Sequence, residues 1–195
     1  MTGFIRFIGI FNIAVWVGGS VFFSFLAGKV FFSPEVTQFT PPPYNGLVAQ
    51  AMLERFFLLH YICGILAISL LLLEWFINYP QGTFPKRAIS YIGILILLAL
   101  IGGKLISPNL NVWHQQKYQF RIKNEGSPPM IESKSYTKEI RQNAKLKFSV
   151  WHGVSQTVNL IMLIMLTYHF WKLVHPSNQN QLQTYSQNKR NLFSE

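Results

Sequence analysis

At 195 residues the chain has room for one domain. Half of it is apolar, and 17 Lys and Arg stand against 7 acidic residues, all of them Glu, for a net charge of +10. Four long apolar runs exceed what a water-soluble core of this size could hide. The single Cys63 excludes an internal disulfide framework, and no recognition motif accompanies the basic charge, so a nucleic-acid partner is not expected. An excess of Lys and Arg of this kind marks juxtamembrane anchoring and attraction to anionic lipid.

The first run, uncharged from Phe7 to Gly28, is too long for a signal-peptide core and lacks a small-x-small cleavage site. It predicts a retained span over 5–32. Gly18, Gly19, Ser20, Ser24 and Gly28 place small residues along it, which lets another helix approach closely, and Asn12 is its buried polar candidate. Pro34 and Pro41-Pro42-Pro43 make 33–50 a turn-rich connection.

The second span is expected over 51–78, with Arg55 before its uncharged heart and Glu74-Trp75 at an interface near its end. A short loop with Pro80 and Pro85 leads to a third span over 88–106, an antiparallel neighbour. Residues 107–145 form the one sizeable extramembrane loop, with a turn at 124–129 and a helix from about Ser135 that feeds the fourth span over 146–172. The tail, 176–195, is rich in Asn, Gln and Ser and reads as solvent-exposed. The fold class is therefore all-α: a polytopic integral membrane protein with a bundle of four transmembrane helices. Four spans put both termini on one side, and the larger share of Lys and Arg lies with the long loop, which favours a cytoplasmic loop.

The fourth run, uncharged from Phe148 to Trp171, carries the most telling pattern. His152, Ser155, Gln156 and Asn159 fall at i, i+3, i+4 and i+7, on one helical face. Polar groups in hydrocarbon are costly and turn toward partner helices or a cavity. The stripe could line a hydrophilic path, bind a solute, or join helices, since each such contact contributes only about 0.6 to 2 kcal/mol.

Histidines offer a second set of candidates. His60 and His152 are each expected about one turn inside the same membrane face, and His114 follows the third span there. The three could converge on a transition metal, or His60 and His152 could ligate a b-type haem axially. The alternative is hydrogen bonding to neighbouring helices or interfacial water. Cys63, Met162 and Met165 bring soft sulfur toward the membrane centre, a Cu(I) preference or ordinary packing. Enzymatic readings lack support: no phosphate loop, nucleophile elbow or zincin motif occurs.

The segments Trp16-Val17-Gly18-Gly19-Ser20, Gly46-Leu47-Val48-Ala49-Gln50 with Arg55-Phe56-Phe57, and Trp151-His152-Gly153-Val154-Ser155 with Asn159-Leu160 resemble the transmembrane-protein-205-like domain family. The resemblance covers about 5–172. It implies a small four-helix membrane protein, in bacteria a domain of unknown function, and a place in the bacterial inner (plasma) membrane. The family's mammalian namesake is associated with tolerance to a platinum drug, which implies a link to metal or solute handling. No catalytic residue carries over.

These readings converge on a non-enzymatic membrane protein. Its favoured role is a small structural or accessory subunit, self-associating or joined to a larger membrane complex, with a polar intramembrane site at His152, Ser155, Gln156, Asn159, His60 and Asn12. The rivals are metal or small-solute transport or tolerance, and haem-based electron transfer.

Overall fold

The computed structural model describes residues 2–78, 84–118, 120–121, 130–131 and 138–175. Among them, four helices are long and apolar enough to cross a membrane: Gly3–Phe31 (α1), Tyr44–Ile77 (α3), Lys86–Tyr118 (α4) and Lys138–Val174 (α5). A four-residue helix, Pro34–Thr37 (α2), lies between the first two. The strands Phe120–Arg121 (β1) and Met130–Ile131 (β2) pair antiparallel, Phe120 opposite Ile131. The protein is thus an all-α, multi-pass membrane bundle with a two-residue ladder beyond it. The tail 176–195 and the turn expected at 124–129 lie outside the described residues.

Capping explains where the helices stop. Pro34 starts α2, its fixed backbone suited to a first turn. The backbone amide and the Ser33 hydroxyl hydrogen-bond the Glu35 carboxylate and hold it below the usual range. α3 begins after the cis Pro42–Pro43 peptide. It ends at Asn78, whose amide and side-chain Nδ2 both donate to the Glu74 carbonyl, at 3.1 and 2.9 Å. Lys172 in the last turn of α5 and Glu139 in its first suit the helix dipole.

Three helices outrun the spans read from the sequence. α3 starts at Tyr44 rather than 51, α4 continues to Tyr118 rather than stopping at 106, and the helix expected from about Ser135 runs from Lys138 straight into α5's span. At 34 residues α3 is about 51 Å long, against about 30 Å of hydrocarbon, so it projects well past the acyl layer. Charge and polarity mark where lipid ends, and the helix does not end there. Pro108, which reads as a breaker, sits just past a π-helical turn, Ile101–Ile106. A proline lacks the amide for the i−4 bond and crowds that carbonyl, and the wider turn before it relieves both conflicts. A second π turn, Phe22–Ala27, interrupts α1.

The helices pack in a ring, α1 between α3 and α5, and α4 between α3 and α5. All four contribute to one core: Ile13 and Trp16, Phe57 and Cys63, Ile92, Leu95 and Ala99, Met162 and Leu166. Gly64 lets α4 close in, since a Cβ there would lie 2.6 Å from the Ile96 side chain. Outward, Phe7, Leu97 and Ile164 are 64, 56 and 61% exposed, an apolar surface that water would not tolerate and acyl chains accept.

Candidate functional site

Toward the end of the bundle that carries the 107–137 segment, the helices part around a cavity of about 830 Å³. The last turns of α1, the first turns of α3, the end of α4 and the first half of α5 form its walls. Phe57 and Met162 belong both to the cavity wall and to the core, so the cavity's floor is the roof of the packed half. Beyond that floor Trp16, Leu95, Ala99 and Leu166 have no exposed surface at all. The cavity is blind.

His152, Ser155, Gln156 and Asn159 all line it. Asn159 Nδ2 donates to Ser24 Oγ at 2.8 Å, tying α5 to the π turn of α1. The amide of Gln156 and the Nε2 of His152 meet at 3.0 Å, one turn apart. Lys29, at the end of α1, and Lys117, at the end of α4, reach the same space. The Lys117 ammonium stands 4.7 Å over the Tyr118 ring and 5.3 Å over Phe148, two cation–π contacts that hold it at the rim. Among the described residues no carboxylate lines the cavity.

Both π turns border this space, Phe23 and Ser24 from the first, Gly102 and Ile106 from the second. Such turns shift the helical register and recur at functional sites. Ser20, in the regular helix above, donates to the Trp16 carbonyl at 2.8 Å instead.

Asn12 and His60 lie elsewhere. Asn12 Nδ2 donates to the Cys63 carbonyl at 2.9 Å, and Trp16 Nε1 donates to His60 Nδ1, with all of these groups buried. Because Nδ1 accepts, the neutral imidazole carries its proton on Nε2, which has no hydrogen-bond partner among the described residues. His60 sits near the middle of α3, which runs from Tyr44 to Ile77. It does not line the cavity.

His60, His114 and His152, expected to converge on a metal, do not share one site: His60 lies outside the cavity that His114 and His152 line. Among the described residues no group of three or more His, Cys, Asp or Glu comes together to hold an ion. His114 does line the cavity, pressed against α3 where a Cβ on Gly46 would lie 2.2 Å from its Nε2. It also meets the Tyr118 and Phe148 rings at 5.0 and 5.8 Å. Cys63 packs in the core with Met162.

The small residues of α1 divide. A Cβ on Gly19 would strike the Leu59 side chain at 2.5 Å, Ser20 is buried, and Ser24 and Gly28 line the cavity. Gly18 faces outward with open space beside it. Sequence reasoning missed Gly46, Lys117 and the stacked Phe23–Phe56 pair, 4.3 Å between centroids. The signal available was the i, i+3 spacing of His114 and Lys117 with Tyr118 beside them, in a segment taken for loop.

Fold and site together define a polytopic α-helical membrane protein with a cavity built from all four spans, free of carboxylates among the described residues. The chain belongs to the family described as Domain of unknown function (DUF4149), whose profile matches residues 11–119. That stretch holds the first three spans and stops short of the polar stripe on α5. Neither a curated protein nor a solved structure matches the chain.

Proposed function

We propose that this protein is a non-enzymatic membrane protein that binds and handles a small solute in the cavity between its four helices. The observation that carries the reading is the placement of His152, Ser155, Gln156 and Asn159, four costly polar groups, on the wall of one cavity of about 830 Å³. Small-molecule sites occupy about 300–1,000 Å³, largely apolar with a few converging polar groups. Among the described residues no carboxylate or thiol lines it, which leaves histidine as the chief acid–base group there and supports binding over catalysis. Likeness to the transmembrane-protein-205-like family, with its link to drug tolerance, favours the same direction, and a bacterial plasma-membrane location goes with it.

A thermal-shift screen of small solutes against the purified protein tests this. Compounds that raise the midpoint of the wild type should fail with Ala49→Trp, which fills the cavity. A screen without a single cavity-dependent hit would sink the reading.

A second reading, the accessory subunit, draws on α5. Within its most apolar stretch 17% is buried inside the bundle, against 28% for each other span. So much free surface on the least apolar helix favours a neighbouring subunit or a second copy. Purification in mild detergent tests it, and a lone monomer would count against it.

A further inference from the structure

We infer that the cavity takes a single-chain amphiphile with an anionic head, carboxylate or phosphate, and an acyl-like tail; this rests on the binding reading above and names its ligand class. Charge is the first ground. Among the described residues two lysines and no carboxylate line the cavity, so their field favours a negative group. The Lys117 ammonium is already held over Tyr118 and Phe148, so less rotamer freedom is lost when an anion arrives.

The second ground is the gradient along the membrane normal. Lys29, Lys117, Asn45 and Gln50 lie on helix segments outside the uncharged runs, toward the polar end of the cavity. Phe56, Phe57 and Met162 lie inside those runs, where acyl chains belong. At the deep end Asn159 and Ser24 hydrogen-bond each other, which lowers the polar demand there. A ligand matching both ends is charged at one end and apolar at the other. Size is the third ground. About 830 Å³ falls near the top of the about 300–1,000 Å³ range of small-molecule sites, room for one chain and not for a two-chain phospholipid. The floor closed by Trp16 and Leu95 makes the cavity a sleeve for a tail and not a passage.

The test uses the full chain in phosphatidylcholine nanodiscs with a diazirine analogue of palmitate, and maps the cross-links by peptide mass spectrometry. Cross-links should fall on Phe56, Met162 and their cavity neighbours. Excess palmitate or hexadecyl phosphate should suppress them, the stronger of the two identifying the head. Hexadecyltrimethylammonium should compete roughly tenfold more weakly, because it meets two ammonium groups of its own sign. Lys117→Gln should lower labelling by a similar factor and Lys117→Arg should restore it. Lys145→Gln, an exposed charge away from the cavity, should leave it unchanged. The inference is overturned if the cationic amphiphile competes equally, if Lys117→Gln behaves like Lys145→Gln, or if cross-links fall on outward residues such as Leu97. If amphiphiles fail while small polar solutes still give cavity-dependent thermal shifts, the ligand class is wrong and the binding reading stands. If both fail, both fall.

Discussion

The half of the bundle around Trp16 and the half around His152 are made of the same four helices, and they solve opposite problems. Around Trp16 the helices are drawn in by Gly19 and Gly64, the core residues of all four interlock, and Asn12 and Trp16 donate hydrogen bonds to the neighbouring helix. Around His152 two π turns alter the register, aromatic rings wedge the helices apart, and polar side chains face a void. Without a hydrophobic force between helices in lipid, close packing is what holds such a bundle together. The contrast teaches that stability is concentrated in one half, which frees the other to stay open.

The sharpest way to break that contrast is truncation. Leu95→Ala in the closed half should cost about 2–5 kcal/mol, and Trp16→Ala about 3–5, since a cavity would be left among unyielding neighbours. Ser155→Ala in the open half should stay within about 0.5 kcal/mol, as for a site with no packed partner. Equilibrium unfolding in detergent compares them. Equal losses would show that the two halves carry the fold alike.

Gly46→Ala should follow in size. Its Cβ would lie 2.2 Å from His114 Nε2, and overpacking of this kind costs about 1–3 kcal/mol. Pairing it with His114→Ala should recover most of the loss, and a strictly additive double variant would mean that the two residues do not meet. Smaller again is the tie at the cavity floor. Asn159→Ala and Ser24→Ala should each cost about 0.6–1.7 kcal/mol, with the double variant no worse than either, because one hydrogen bond across helices is at stake. Least of all is expected from metals. Zinc or copper added to the purified protein should leave the unfolding midpoint where it was, whereas an ion bound only by the folded state would raise it. A rise abolished by His114→Ala would revive a metal site.

Much of this was legible beforehand. The stripe from His152 to Asn159 showed because polar groups amid an apolar run repeat at helical spacing, and lipid makes that repeat meaningful. The helix from about Ser135 into α5 showed as well, but the extents of α3 and α4 did not, because hydropathy reports where lipid ends and residues 44–50 and 107–118 are helix beyond the expected spans. The short third span put His114 in a loop, whereas α4 carries it into the cavity wall. Neither π turn left a mark in composition. The partnership of Gly46 with His114 depends on the approach of two helices far apart in sequence, which no local pattern encodes.

The wide turn at Phe22–Ala27 makes the end of α1 a matter of phase. A π turn holds one residue more than a regular turn, and each residue advances a helix by about 100°. Were the same residues wound at uniform pitch, Gly28 and Lys29 would swing by about that angle and leave the cavity wall. Everything on the Trp16 side would keep its orientation. The wide turn thus sets which way the rim of the vestibule faces, independently of whether the bundle folds.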